Sequence, residues 1–155
     1  MKSNDQNTSL DARYRTMLIL WFALFMNIGV FFVFAVFMTR DAGAARGNAT
    51  DYLSVVLLAL GTFSVVASFV VKKIFLTRSV DRQDLGLVQQ GLIFACAMCE
   101  VSALLGLIGL LLTGNREYYI LFLIAAGGEA AHFPRRDQLL AASYKNPLLV
   151  KEIGK

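Results

Sequence analysis

The chain has 155 residues, of which 57% are hydrophobic and only 17% charged, with 12 phenylalanines and a mean hydropathy of +0.59. A soluble domain of this length carries more charge, so the composition excludes an ordinary water-soluble globular domain and points to lipid. The net charge of +4 follows from basic residues placed between apolar runs, and no nucleic-acid partner is needed to explain it.

The first apolar run, Met17 to Met38, reaches the ~20 residues that cross a ~30 Å hydrocarbon core. Trp21, Phe22, Phe25, Phe31, Phe32, Phe34 and Phe37 are spread around its whole circumference, which suits a surface meeting lipid or a partner subunit. The run follows Arg13 and Arg15 and precedes Ala42-Gly43-Ala44, as a secretory signal would. It is longer than the ~7–15-residue apolar region of such a signal, however, and is read as a retained span. Asn27 is its one strongly polar interior residue, roughly 18 Å from Arg15 at ~1.5 Å per residue. Asn48-Ala49-Thr50 in the following loop matches a glycosylation sequon, a pattern short enough to arise by chance.

The second run, Tyr52 to Val71, carries Ser54, Gly61, Ser64 and Ser68, small or hydroxylated positions that let another helix approach closely. Lys72 and Lys73 are expected to end this helix at the interface, with their stems snorkelling along it. The third span starts near residue 89 and includes the unbroken apolar run Gly91 to Leu112. Within it Ala95, Cys99, Ser102, Gly106 and Gly109 recur at three- and four-residue intervals, giving a smooth seam for helix packing. Cys96 and Cys99 form a C-x-x-C inside this helix, without a turn or a second ligand pair nearby in sequence. They are read as packing residues, with no metal site. The fourth span, Tyr118 to about Pro134, is shorter and must recruit its flanks or lie partly against protein. Glu129 and His132 near its end are three apart, hence neighbours on one helix face. Beyond Pro134, Asp137 to Tyr144 reads as a short amphipathic helix at the membrane surface, and residues 135–155 as a cytoplasmic tail.

Connections this short leave no room for a second domain, so the whole chain, 1–155, is expected to be all-α: one integral membrane bundle of four transmembrane helices. Lys2, Arg13, Arg15, Lys72, Lys73, Arg78, Arg82, Arg135, Arg136, Lys145, Lys151 and Lys155 fall on one side of it, against Arg40, Arg46 and Arg116 on the other. The positive-inside rule then places both termini in the cytoplasm, with the bacterial inner membrane as the expected location.

Glu100 carries the strongest functional signal, because an ionised carboxylate in mid-membrane costs several kcal/mol unless it is paired. Counted from Val88, it lies at about the same depth as Asn27, so the two are the candidate ion-binding residues. Glu129 and His132 are the candidate proton relay. No Lys or Arg lies inside the four spans as drawn, which leaves Glu100 either neutral and structural or able to exchange a proton when water or a cation reaches it. A single histidine excludes a multi-histidine metal or haem site within one chain. No nucleophile elbow or phosphate-binding glycine loop is present, so no catalytic residue and no cofactor are expected.

The stretch Glu100-Val101-Ser102-Ala103-Leu104-Leu105-Gly106-Leu107-Ile108 resembles the C-terminal helix of the rotary ATPase proteolipids, the subunit c family. In that family a membrane carboxylate precedes Gly-Leu-Ile or Gly-Leu-Val by six positions and carries the translocated ion; the polar Arg82-Gln83-Asp84 connection is also similar. The resemblance implies Glu100 as ion carrier. The second helix departs from it, having only Gly61 where proteolipids have an alternating-glycine stripe. As a whole the chain looks like a group of small bacterial four-span membrane proteins. The leading expectation is a non-enzymatic integral membrane protein that self-assembles or serves a larger membrane complex, with lipid and protein as its partners. The alternatives are a proton- or sodium-translocating component using Glu100, and a small multidrug-type transporter.

Overall fold

The computed structural model describes residues 2–40 and 51–143, with side chains described over 10–39 and 52–143. It is all helical: α1 (Lys2–Arg40), α2 (Asp51–Arg82), α3 (Leu85–Thr113), a 3-10 turn (Arg116–Tyr118), α4 (Tyr119–Ala131) and α5 (Arg136–Ser143). Three segments, Leu10–Thr39, Tyr52–Arg82 and Leu85–Thr113, are long and apolar enough to cross a membrane. With 13 residues, α4 is about 20 Å long, shorter than the ~30 Å hydrocarbon core.

α3 is the central helix. Its apolar window is 44% buried, against 11% for α1 and 17% for α2, and it packs on α1, α2 and α4. The burial pattern has one period throughout. Buried or half-buried positions on α1 run Leu10, Tyr14, Met17, Trp21, Leu24, Ile28, Phe31, Ala35. On α2 they run Gly61, Val65, Ser68, Lys72, Phe75, Ser79, and on α3 Val88, Leu92, Ala95, Cys99, Ser102, Gly106, Gly109, Thr113. Each series alternates steps of four and three, the ~3.5-residue repeat that keeps a seam facing its partner in left-handed helix packing. The aromatics of α1 surround the helix, as the sequence suggests, yet Trp21 and Phe31 lie on its inward stripe.

The ends of the helices have local causes. Between α2 and α3 the chain reverses at Gln83, in the left-handed region at φ 52°, and at Asp84, whose Oδ1 accepts the Gly86 N–H at 2.8 Å as an N-cap. α3 stops at Gly114, left-handed at φ 65°, whose N–H donates to the Leu110 carbonyl at 2.9 Å. α4 ends because Pro134 lacks an N–H and disfavours helix in the residue before it. α2 does not end at Lys72 and Lys73, as the sequence suggests, but continues to Arg82. Phe75, Leu76 and Ser79 keep the inward stripe going, so the helix loses nothing by projecting further.

Two apolar clusters fill the interior. One joins Ile28, Ala35, Val65, Cys99, Ala103, Leu110, Tyr118, Leu121, Phe122 and Ala125. The other joins Met17, Val88, Leu92, Cys96, Leu139 and Ala142. The second cluster holds α5 against α1 and α3 and so places residues 136–143 in the bundle. The Arg136–Asp11 ion pair beside it is half exposed and adds little.

Close approach of α4 to α3 depends on glycine. A Cβ at Gly109 would lie 2.2 Å from the Tyr118 ring, and one at Gly128 would lie 2.6 Å from Val65 and 3.1 Å from Cys99 Sγ. Gly127, the next residue along, has nothing within 4 Å. Gly109→Ala is therefore expected to destabilise the purified protein by about 1–3 kcal/mol through overpacking, while Gly127→Ala is neutral or stabilising by up to ~1 kcal/mol. Thermal unfolding in detergent distinguishes them, and equal effects would refute this account of the α3–α4 contact.

Candidate functional site

The boundary between the two apolar clusters falls at the Cys96–Cys99 turn of α3, where a layer of polar side chains crosses the bundle. α2 contributes Ser68 and Lys72, α3 contributes Cys96, Cys99 and Glu100, and the end of α4 contributes Glu129 and His132. α1 closes the layer with Trp21. Each is there because of register: Ser68 and Lys72 occupy successive positions of the α2 stripe, and Tyr118, Phe122, Ala125, Glu129 and His132 continue the same four-three spacing through α4.

The last turn of α4 closes partly on itself, the His132 N–H donating to the Glu129 carbonyl at 3.0 Å and the Phe133 N–H to the Ala130 carbonyl at 3.2 Å. Two side chains from other helices add to these bonds. Trp21 Nε1 donates to the Glu129 carbonyl at 2.8 Å, and Lys72 Nζ donates to the His132 carbonyl at 3.0 Å. Lys72 also sets a positive charge at the negative end of the α4 dipole. It is only 9% exposed, turned into the bundle and not lying along the interface as the sequence suggests, whereas the adjacent Lys73 is exposed.

His132 is buried and reaches Ser68, with Nε2 2.7 Å from Oγ. Its ring packs on Phe69 with centroids 4.5 Å apart. Ser68 Oγ is also 2.6 Å from the Val65 carbonyl and 3.7 Å from Cys99 Sγ. A hydroxyl has one hydrogen. When it goes to Val65, His132 donates from Nε2; when it goes to His132, the imidazole accepts. The Ser68–His132 pair thus has two proton arrangements on one set of heavy atoms.

Glu129 differs from its neighbours. It is 0% exposed, and neither carboxylate oxygen has a hydrogen-bond partner. Cys96 faces it from α3 without closing a bond of standard geometry, and Glu100 is within electrostatic reach. Gly128 seated on Cys99 explains the neighbourhood, because Glu129 and Glu100 are the next residues on the two helices. The Arg136–Asp11 pair is the only ion pair among the described residues, so neither glutamate is charge-paired there.

Glu100 is half-buried, with Oε1 buried and unpartnered. Asn27 is also half-buried, beside the α1 stripe and not on it, and no hydrogen bond joins the two. Glu129 and His132 are both turned inward but diverge, one toward Cys96 and the other toward Ser68; no side-chain hydrogen bond links them. Ala95, Cys99, Ser102, Gly106 and Gly109 are all buried along the α3 seam, and Ser102 Oγ has no partner. Among the described residues no group of three or more His, Cys, Asp or Glu side chains is arranged to hold a metal ion. The sequence reading missed Lys72, and the missing signal was its place four residues after Ser68 on the Gly61, Val65, Ser68 stripe.

Ser68→Ala leaves the buried His132 nitrogen without its partner and is expected to cost about 1–3 kcal/mol. Thr62→Ala, which removes an exposed hydroxyl bonded to its own helix, should cost under about 0.5 kcal/mol. Parallel thermal unfolding tests this, and a tolerated Ser68→Ala would remove His132 from the structural framework. In comparisons with protein-family models, with curated proteins and with solved structures, nothing matches this chain.

Proposed function

We propose that the protein is a non-enzymatic integral membrane subunit that assembles with copies of itself or within a larger membrane complex, with both termini on the cytoplasmic side of a bacterial inner membrane. The observation that carries this reading is the outer surface of α1 and α2. Ile19, Phe22, Met26, Val30 and Phe37 on α1, and Val55, Phe63, Val66 and Val70 on α2, all stand exposed on the bundle. A soluble monomer does not present such a continuous apolar surface, whereas lipid or neighbouring spans cover it at no cost. The positive-inside rule supports the orientation. A fourth crossing by residues 118–134 is part of this proposal. The 3-10 turn and α4 measure about 25 Å together, and the His132–Pro134 exit supplies the remainder.

A second reading, carriage of a proton or sodium ion through Glu100, is favoured by one observation: the oxygens of Glu129 and Oε1 of Glu100 are buried without partners. It agrees with the resemblance of α3 to the proteolipid helix. The rest of the bundle supports a narrow path at most, since α3 is sealed by Tyr118, Leu121 and Phe122 against its glycines.

Extraction from the native membrane in mild detergent, followed by native mass measurement, tests the first reading. The expected result is a closed homo-oligomer or a stoichiometric complex with other membrane subunits; recovery as a monomer under several mild detergents would overturn it. For the second reading, Glu100→Gln in proteoliposomes is expected to lower proton or sodium flux by at least about tenfold, about 1.4 kcal/mol in the barrier, with the assembly intact. Unchanged flux would leave Glu100 structural.

A further inference from the structure

The geometry points to Glu129, and not Glu100, as a proton-holding site: a carboxylic acid that keeps its proton inside the assembled bundle. This deepens the carriage reading, but its test uses no flux, so the two can fail separately.

Two observations carry it. The Glu129 side chain is wholly buried, and both its oxygens lack partners. No cation is aimed at them, because Lys72 Nζ is engaged with the His132 carbonyl. A bare carboxylate in such a place is far less favourable than a neutral acid. Second, the groups that face Glu129 select what neutralises it. α1 offers Trp21, whose N–H is taken by the Glu129 carbonyl. α2 offers Lys72 and Ser68, both bonded to His132, α3 offers Cys96, Cys99 and Glu100, and His132 on its own segment turns to Ser68 instead. Sodium, potassium and calcium need a shell of oxygen ligands, whereas α3 brings the thiols of Cys96 and Cys99, soft ligands unsuited to them. A proton needs only one oxygen.

The proton is taken from bulk water, and the only bond made or broken at Glu129 is its O–H. Ser68 and His132, both buried, bond each other at 2.7 Å and not Glu129.

Infrared spectroscopy of the full-length protein in lipid nanodiscs tests this at neutral and alkaline pH. The wild type is expected to show a protonated-carboxyl carbonyl band at neutral pH, lost in Glu129→Gln and retained in Glu100→Gln. Ser68→Ala should keep the band, since Ser68 bonds His132 and not Glu129. If Glu129→Gln does not fold, Glu129→Asp serves in its place, with a shifted and not a vanished band. Absence of the band in the wild type, or its survival in Glu129→Gln, would overturn the proposal. Loss of the wild-type band on adding sodium chloride, but not choline chloride, would also overturn it and make the site one for a metal cation.

Discussion

The close approach of α4 to α3 is the contact on which the rest of the bundle depends. α4 is too short to be held by its length, and it is seated where Gly106 and Gly109 on α3 leave space for Tyr118, Leu121 and Phe122. At its other end the relation reverses, and Gly128 on α4 makes room for Val65 and Cys99. Where apolar surface gains nothing by leaving lipid, such contacts rest on van der Waals packing and backbone proximity, and a methyl group in the wrong place is enough to separate the helices. That seating fixes the rotation of α4 and so brings Glu129 and His132 inside.

Once α4 is seated, the polar layer forms around its C-terminal end. Carbonyls there accept donors from α1 and α2, Trp21 at Glu129 and Lys72 at His132. These two bonds tie three helices together at one level, and the Ser68–His132 contact adds a further link. A buried Lys, His and Ser therefore have a structural explanation. The Glu129 carboxyl has none of that kind: its backbone carbonyl is used and its side chain is not, which separates it from the framework around it.

Much of this was legible in the residues. The three long helices follow from apolar runs of sufficient length, the α3 seam from the spacing of Ala95, Cys99, Ser102, Gly106 and Gly109, and the short helix after Pro134 from its polar and apolar alternation. Lys72 was not legible by composition, because a lysine at the end of an apolar run is ordinarily an interface residue. Its inward direction is decided by the four-three stripe shared with Gly61, Val65 and Ser68. Asn27 and Glu100 were paired by depth alone, and depth says nothing about rotation. Each lies beside its helix's buried stripe, and they do not bond.

The sequence by itself determined that the chain is helical and lipid-compatible, and which helix would have the smooth face, because apolar run length and small-residue spacing are properties of a single segment. Which glutamate is sealed from solvent was decided only by the tertiary structure. Glu100 has the longer apolar context, yet Glu129 is the wholly buried one, since burial depends on the neighbours a side chain turns toward. Those neighbours were set by the glycine contacts between α3 and α4, which no one segment encodes alone.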